Sequence, residues 1–143
     1  MTILADVDIE ARIKDRTLTL DPFDADCLSG GGYDLRIGLD VNIPPGQRKL
    51  VATLERVELS EDLVGILHIR SSMARAGIIS SLALVDPGFR GQLTILLFNS
   101  SSEEFTLKHG ERFLQLTFHQ LSTKARGVYR GKYQDSQGIV ERR

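Results

Sequence analysis

Between Leu50 and Leu121 the chain is a succession of short segments in which apolar and polar side chains alternate, broken by Gly, Pro, Ser and Asp. A period of two places successive side chains on opposite faces of a strand, whereas a helix needs a period of 3.6, so this pattern restricts the chain to β architecture. Leu50 to Leu59 and Val64 to Arg70 read as strands separated by the polar turn Ser60-Glu61-Asp62, and Gln92 to Phe98 and Phe105 to Leu107 read as two more. In Arg112 to Leu121, Phe113, Gln115, Thr117 and His119 fall on one side and Leu114, Leu116 and Phe118 on the other. Thr17 to Leu20 and Tyr33 to Leu39 also have strand character. Only Asp6 to Lys14 reads as a helix, capped by Asp6, with Ile9 and Ile13 on one face. The expectation is an all-β sandwich or barrel with one short N-terminal helix.

A chain of 143 residues, 41% of them hydrophobic, can bury a sizeable core and fits one domain. The formal net charge of -1 supplies no global basic field for nucleic acid or an anionic membrane, and no apolar run is long enough to span a bilayer. The single Cys27 forms no internal disulfide and the N-terminus lacks a basic stretch followed by an apolar one, so a soluble, cytoplasmic protein is expected. Charge is unevenly spread: Lys124 to Arg143 carries +4 and the remainder -5. The expected organisation is a domain over 1–123 and a basic tail over 124–143. Such a tail is ordinarily a solvated end, and it could equally close over a polyanion.

The densest chemistry lies in Ile69 to Asn99. Arg70, Ser71, Ser72 and Arg75 place two guanidinium forks around two hydroxyls, which suits bidentate grip of phosphate, although Arg-Ser-Ser is common in plain loops. Asp86-Pro87-Gly88-Phe89 presents a carboxylate and a ring together on a turn beside strands, a rigid mounting for a catalytic group; a bare turn former reads the same way. Taken singly, Asp34 is a strand-edge carboxylate, Gln115 a polar residue on a solvent face, and His68 a packing or surface histidine. Ser29-Gly30-Gly31-Gly32 allows either close backbone approach or a flexible loop. His68, His109 and His119 are far apart and accompanied by one cysteine, which leaves no zinc set and disfavours zinc-dependent cytidine deaminases.

Five ordered motifs change the weight of these pieces: Gly32-Tyr33-Asp34-Leu35, Arg70-Ser71-Ser72-Met73-Ala74-Arg75, Val85-Asp86-Pro87-Gly88-Phe89-Arg90-Gly91, Gly110-Glu111-Arg112-Phe113-Leu114-Gln115-Leu116 and Tyr129-Arg130-Gly131-Lys132-Tyr133-Gln134. Together they resemble the dUTPase and dCTP deaminase superfamily, most of all the deaminase-like dUTPases of archaea. The resemblance implies a distorted jelly-roll β-barrel that assembles as a homotrimer with sites at subunit interfaces. It also implies Mg2+-assisted hydrolysis of dUTP to dUMP and pyrophosphate by water attack on the α-phosphorus. In that scheme Asp86 orients and deprotonates the water, and Arg70, Ser71, Ser72 and Gln115 hold the phosphates. Arg75 adds charge or buttresses the loop, Phe89 lies against the deoxyribose, and the backbone of Ser81 to Val85 reads the uracil edge. Asp34 holds hydrated magnesium through water. Tyr129 and Lys132 match phosphate ligands of the deaminase-type tail, which serves as a lid. The glutamine expected four residues after Lys132 is Ser136, with Gln137 beside it, and Tyr133 stands where a base could stack.

Deaminases of this superfamily place a proton-shuttling glutamate five residues after the last glycine of the Asp-Pro-Gly motif. Here that position is Leu96, whose alkyl chain cannot act as acid or base. A dUTPase is therefore favoured over a dCTP deaminase or a bifunctional enzyme. A noncatalytic nucleotide-binding relative is the remaining class, and a water-orienting Asp86 speaks against it.

Overall fold

The structure, a computed structural model, describes residues 2–143. In chain order its elements are β1 (Thr2–Ile3), α1 (Asp6–Lys14), β2 (Leu18–Asp21), a 3-10 turn (Ala25–Cys27), β3 (Leu28–Ser29), β4 (Gly32–Arg36), β5 (Val41–Ile43), β6 (Arg48–Leu59), β7 (Leu63–Ile69), α2 (Ser71–Arg75), β8 (Ile78–Ser80), β9 (Leu84–Val85), β10 (Arg90–Asn99), β11 (Phe105–Leu107) and β12 (Arg112–Gln120). The strands form one sheet in the order β3-β4-β12-β7-β9 with β1 added to β12, a second in the order β2-β6-β10-β8, and a small β5-β11 pair. All of these pairings are antiparallel. The architecture is all-β, as expected, but the strands form open sheets wrapped around one apolar core instead of a closed ring. Tyr33, Leu35, Leu97, Phe113, Leu116 and Phe118 are fully enclosed there. No helix among the described residues is long and apolar enough to cross a membrane.

Four local features differ from the pattern reading, each for a physical reason. Ala5, not Asp6, is the N-cap of α1. The Asp8 carboxylate accepts the Ala5 N–H at 3.2 Å, while Asp6 accepts the amide of Val7 at 2.8 Å. Phe113 points into the core along with Leu114, because a bulge between Arg112 and Leu114 breaks the alternation. The apolar run from Ile78 to Val85 splits between two sheets, β8 pairing with β10 and β9 with β7. Finally, Ser71 to Arg75 is a second short helix, closed by the amides of Met73 and Ala74 donating to the Arg70 carbonyl at 3.0 and 3.1 Å.

Ionic contacts fasten these layers. Arg12 on α1 forks onto Asp62 in the β6–β7 turn at 3.0 and 2.8 Å, and that guanidinium lowers the Asp62 pKa to about 2. Deeper in, Glu55 is completely buried in β6 and accepts from the Arg36 amide at 2.9 Å, the Arg36 Nε at 2.8 Å and the Tyr33 hydroxyl at 3.2 Å. Arg36 ends β4, so this network ties the strand that carries Asp34 to the opposite sheet.

Candidate active site

The turn after β9 is built by short backbone bonds: Phe89 N–H donates to the Asp86 carbonyl at 3.1 Å, and Gly88 N–H and Leu59 N–H bond across to Leu59 and Phe89 carbonyls, each at 3.0 Å. These contacts bury the Phe89 ring and leave the Asp86 side chain exposed on the rim. Among the described residues no protein donor reaches its carboxylate, so its lone pairs are free for a water. Beside it lies a cavity of about 450 Å³ walled by Phe89, Gln92, Thr94, Tyr129 and Tyr133, and Asp86 is the one carboxylate on its lining. The larger cleft on the far side of the turn contains Arg12 with Asp62 and Lys124 with Glu61. Its lining also carries Arg16, Arg90, Arg130 and Glu58, but neither Asp34 nor Asp86, the aspartates of the five motifs, which makes it the weaker candidate.

The basic tail is not a free end in this structure. It runs over the same chain's Asp86 turn: Tyr129 N–H donates to the Pro87 carbonyl at 2.8 Å and its ring meets Phe89 edge-on at 5.5 Å. Gln134 bonds Gly88 and Arg90, and Asp135 accepts from Arg56 at 2.6 Å and from Arg90 at 3.0 and 2.9 Å. These two guanidinium groups hold the Asp135 carboxyl well below the usual carboxylate range. Further along, Gln92 N–H donates to the Ser136 carbonyl at 2.9 Å and Gly138 N–H to the Gln92 side chain at 2.6 Å. Ser136 can approach only because position 91 has no side chain. A Cβ on Gly91 would stand 2.8 Å from the Ser136 nitrogen, and its φ of +146° is itself unfavourable for any other residue. Gly91→Ala is expected to cost about 1–3 kcal/mol locally. Hydrogen exchange at the Ser136 and Gly138 amides should then run about tenfold faster or more, with the β12 amides unchanged. Unchanged tail exchange would show that this contact does not hold the tail.

A second cluster lies on the outward face of the large sheet. Gln115 on β12 is directly opposite Asp34 on β4 and His68 on β7, and its Nε2 donates to Ser29 at 3.2 Å. Gly32 makes room for that amide, since a Cβ there would sit 2.8 Å from the Leu116 carbonyl and 3.4 Å from the Gln115 side chain. Arg70 and Arg112 bring guanidinium nitrogens to 3.5 and 3.7 Å from the Asp34 carboxylate. Ser71, Ser72 and Arg75 follow on α2 with exposed side chains. Arg70, Asp34 and Gln115 are thus gathered as the motifs predict, with the α2 residues alongside.

Asp86 does not join them. By register it stands four residues along and two strands across from Gln115, about 17 Å away at ordinary strand spacings. Nor do two tail residues reach the Asp86 cavity: Lys132 turns its ammonium to the Arg143 carbonyl, 5.5 Å above the Tyr133 ring centroid, and Gln137 is exposed while Ser136 is buried. Tyr129 and Tyr133 do line it. His68, which alone reads as a packing or surface histidine, stands opposite Gln115, a register that exists only once β7 and β12 pair.

The donor set near Asp34 bears on magnesium. Among the described residues no three His, Cys, Asp or Glu side chains converge, so nothing forms an all-protein cage. One carboxylate, 15% exposed, fits only a magnesium ion that keeps its water shell and takes its remaining ligands from phosphate, because Arg70 and Arg112 already share one of its oxygens at 3.5 and 3.7 Å.

The sequence profile of the dCTP deaminase-like family matches residues 39–121. The dCTP deaminase of Thermococcus gammatolerans is 44% identical over 141 aligned positions, covering 88% of this chain and 90% of the relative. A probable deoxyuridine 5'-triphosphate nucleotidohydrolase of Sulfolobus islandicus rod-shaped virus 1 is 36% identical, with 96% of each chain covered. Among solved structures, the 2'-deoxycytidine 5'-triphosphate deaminase of Agrobacterium tumefaciens superposes with a TM-score of 0.72 at 18% identity. That match covers 81% of this chain, which spans about half (47%) of the solved one, and at such identity it speaks for the fold.

Proposed function

Because this chain belongs to the dCTP deaminase-like family of the dUTPase and dCTP deaminase superfamily, we propose that it is a dUTP diphosphatase, hydrolysing dUTP to dUMP and pyrophosphate. The observation that carries this reading is the solitary carboxylate of the Asp86 cavity. Ring deamination needs a group that moves protons at the base. On β10 the outward row Gln92, Thr94, Leu96 offers none, with Leu96 at the deaminases' glutamate position and paired with Leu50 across the strand. Water attack on phosphorus asks less of the protein: a base for one proton, and fixed charge around the phosphates.

In this mechanism Asp86 accepts a proton from a water lying in line with the α-phosphorus. The new P–O bond forms as the bond to the bridging oxygen breaks and pyrophosphate leaves. Arg70, Ser71, Ser72 and Gln115 hold the phosphates, and Arg75 adds charge at their flank. Bound magnesium, held through water by Asp34, supplies charge neutralisation to the pyrophosphate. Phe89, packed edge-on to Tyr129, would lie against the deoxyribose, where a 2'-hydroxyl would collide. The tail serves as a lid in which Tyr129 and Tyr133 wall the nucleotide's cavity, while Lys132 and Gln137, which do not reach that cavity in this chain, would have to turn toward the phosphates on closure. The roughly 17 Å between Asp86 and Gln115 within one chain means that a single α-phosphate cannot touch both. This supports a homotrimer in which one copy contributes the carboxylate and its neighbour the phosphate grip.

A second reading, dCTP deaminase or bifunctional enzyme, draws on the names of similar proteins such as the Thermococcus relative. One assay separates the readings: dUTP, dCTP and UTP are incubated separately with magnesium, and nucleotide, pyrophosphate and ammonia are resolved. Pyrophosphate and dUMP from dUTP, with no ammonia from dCTP and no turnover of UTP, is the expected result. Ammonia from dCTP would overturn the role assigned to Leu96, and no product from any substrate would favour a binding protein.

A further inference from the structure

His68 lies in the same transverse row of the sheet as Asp34 and Gln115. Directly opposed residues on neighbouring strands project to the same face, with Cβ atoms about 5 Å apart. Its imidazole is exposed, and its Nε2 is 2.8 Å from the Thr117 hydroxyl. That hydroxyl is also 3.0 Å from the Nε2 of His119, a residue only 6% exposed whose Nδ1 is buried without a partner. An unpartnered lone pair costs less than an unpartnered N–H, so His119 keeps its proton on Nε2 and donates it to Thr117. The Thr117 proton is then directed at His68 Nε2, since the alternative acceptor, the Ile66 carbonyl, is 3.4 Å away. Neutral His68 therefore carries its proton on Nδ1, which bonds no protein acceptor among the described residues.

We propose that His68 is a further phosphate-binding residue of this site, donating from Nδ1 to the nucleotide's triphosphate. The inference rests on the reading that Gln115 holds phosphate. The charged and titratable groups around His68 suit the role. From β12 and β4 it faces Gln115, Thr117, His119 and, one strand farther, Asp34. Arg70 lies just past the end of its strand, and both Arg70 and Arg112 approach the Asp34 carboxylate. On its other side the carbonyl of Ala83 bonds the neighbouring Leu67 amide, and no titratable side chain stands there. Burial and the nearby His68 both push the His119 pKa down. An imidazole N–H facing the anionic oxygens of a polyphosphate forms a charge-assisted hydrogen bond.

The test is calorimetric binding of a nonhydrolysable dUTP analogue, with magnesium, to the full chain and to His68→Gln, His68→Ala and Gln115→Ala. The Gln variant, which keeps a neutral donor, should retain most of the affinity, while His68→Ala loses about fivefold or more. If both His68 variants track wild type while Gln115→Ala is weakened, the inference fails and the phosphate reading survives. Full affinity in Gln115→Ala would remove the phosphate reading and this inference with it.

Discussion

Replacing Asp86 by Asn should lower kcat for dUTP by about 10²–10⁴-fold, the usual contribution of a positioned general base, and leave the affinity for a nonhydrolysable analogue within about twofold. The amide is nearly isosteric, and Asp86 makes no protein hydrogen bond through its side chain, so neither the turn nor the cavity has reason to move. What the variant lacks is the lone pair that takes the proton from water. A matching loss of analogue affinity would instead make Asp86 a binding residue. The same variant tests the division of the site between copies. Gln115→Ala damages the other half, about 17 Å away in the same chain by sheet geometry. Mixed assemblies of the two inactive variants contain interfaces that pair an intact Asp86 with an intact Gln115, so partial activity should return on mixing. No recovery would mean that each chain works alone, and the shared-site reading would fall.

How much of this was legible in the sequence follows from the range of the interactions involved. The outward placement of Gln115 and the burial of Leu114, Leu116 and Phe118 were readable because a strand's period is local and uninterrupted there. Phe113 escaped because a bulge cannot be seen in a period. Helix α2 escaped because five residues are too few to show a 3.6 repeat. The motifs located Asp34, Arg70, Asp86 and Gln115, yet nothing in their spacing told that the first, second and fourth gather while Asp86 stands apart; that is decided by strand order. For the tail, composition pointed to solvation, whereas a few specific contacts seat it: the Tyr129 ring on Phe89, the Asp135 carboxylate between two arginines, and the gap left by Gly91. Net charge is blind to such pairing.

Glu55 was the largest omission, and its removal should have the largest effect on stability. In sequence it is one more polar residue in an alternating strand. In the fold it occupies an irregular stretch of β6, where pairing with β10 jumps from Gln92 opposite Arg56 to Thr94 opposite Ala52. The stretch is patched by the Thr53 hydroxyl, which accepts the Leu93 amide at 2.9 Å and donates to the Glu55 carbonyl at 2.9 Å. This irregularity turns the Glu55 carboxylate inward, toward Arg36 and Tyr33, where it is fully enclosed. Glu55→Ala leaves the 15%-exposed Arg36 guanidinium with only the Pro22 carbonyl at 2.6 Å and a distant Asp24 at 3.5 Å. Breaking a buried pair from one side costs about 3–5 kcal/mol, out of a total of roughly 5–15 kcal/mol for a domain. A fall in Tm of about 10 °C or more is therefore expected in a thermal melt. Glu55→Gln keeps an acceptor for the Arg36 amide and should lose less. If Glu55→Ala melted within 2 °C of wild type, the network would be ornamental to the fold. If it melts early as expected, the analogue affinity of the folded fraction at low temperature becomes informative. Arg36 ends the strand that carries Asp34, so loosening it should weaken triphosphate binding; Glu55 also adjoins Leu54, whose carbonyl holds the Gln92 side chain of the Asp86 cavity at 3.1 Å, so that cavity should loosen with it.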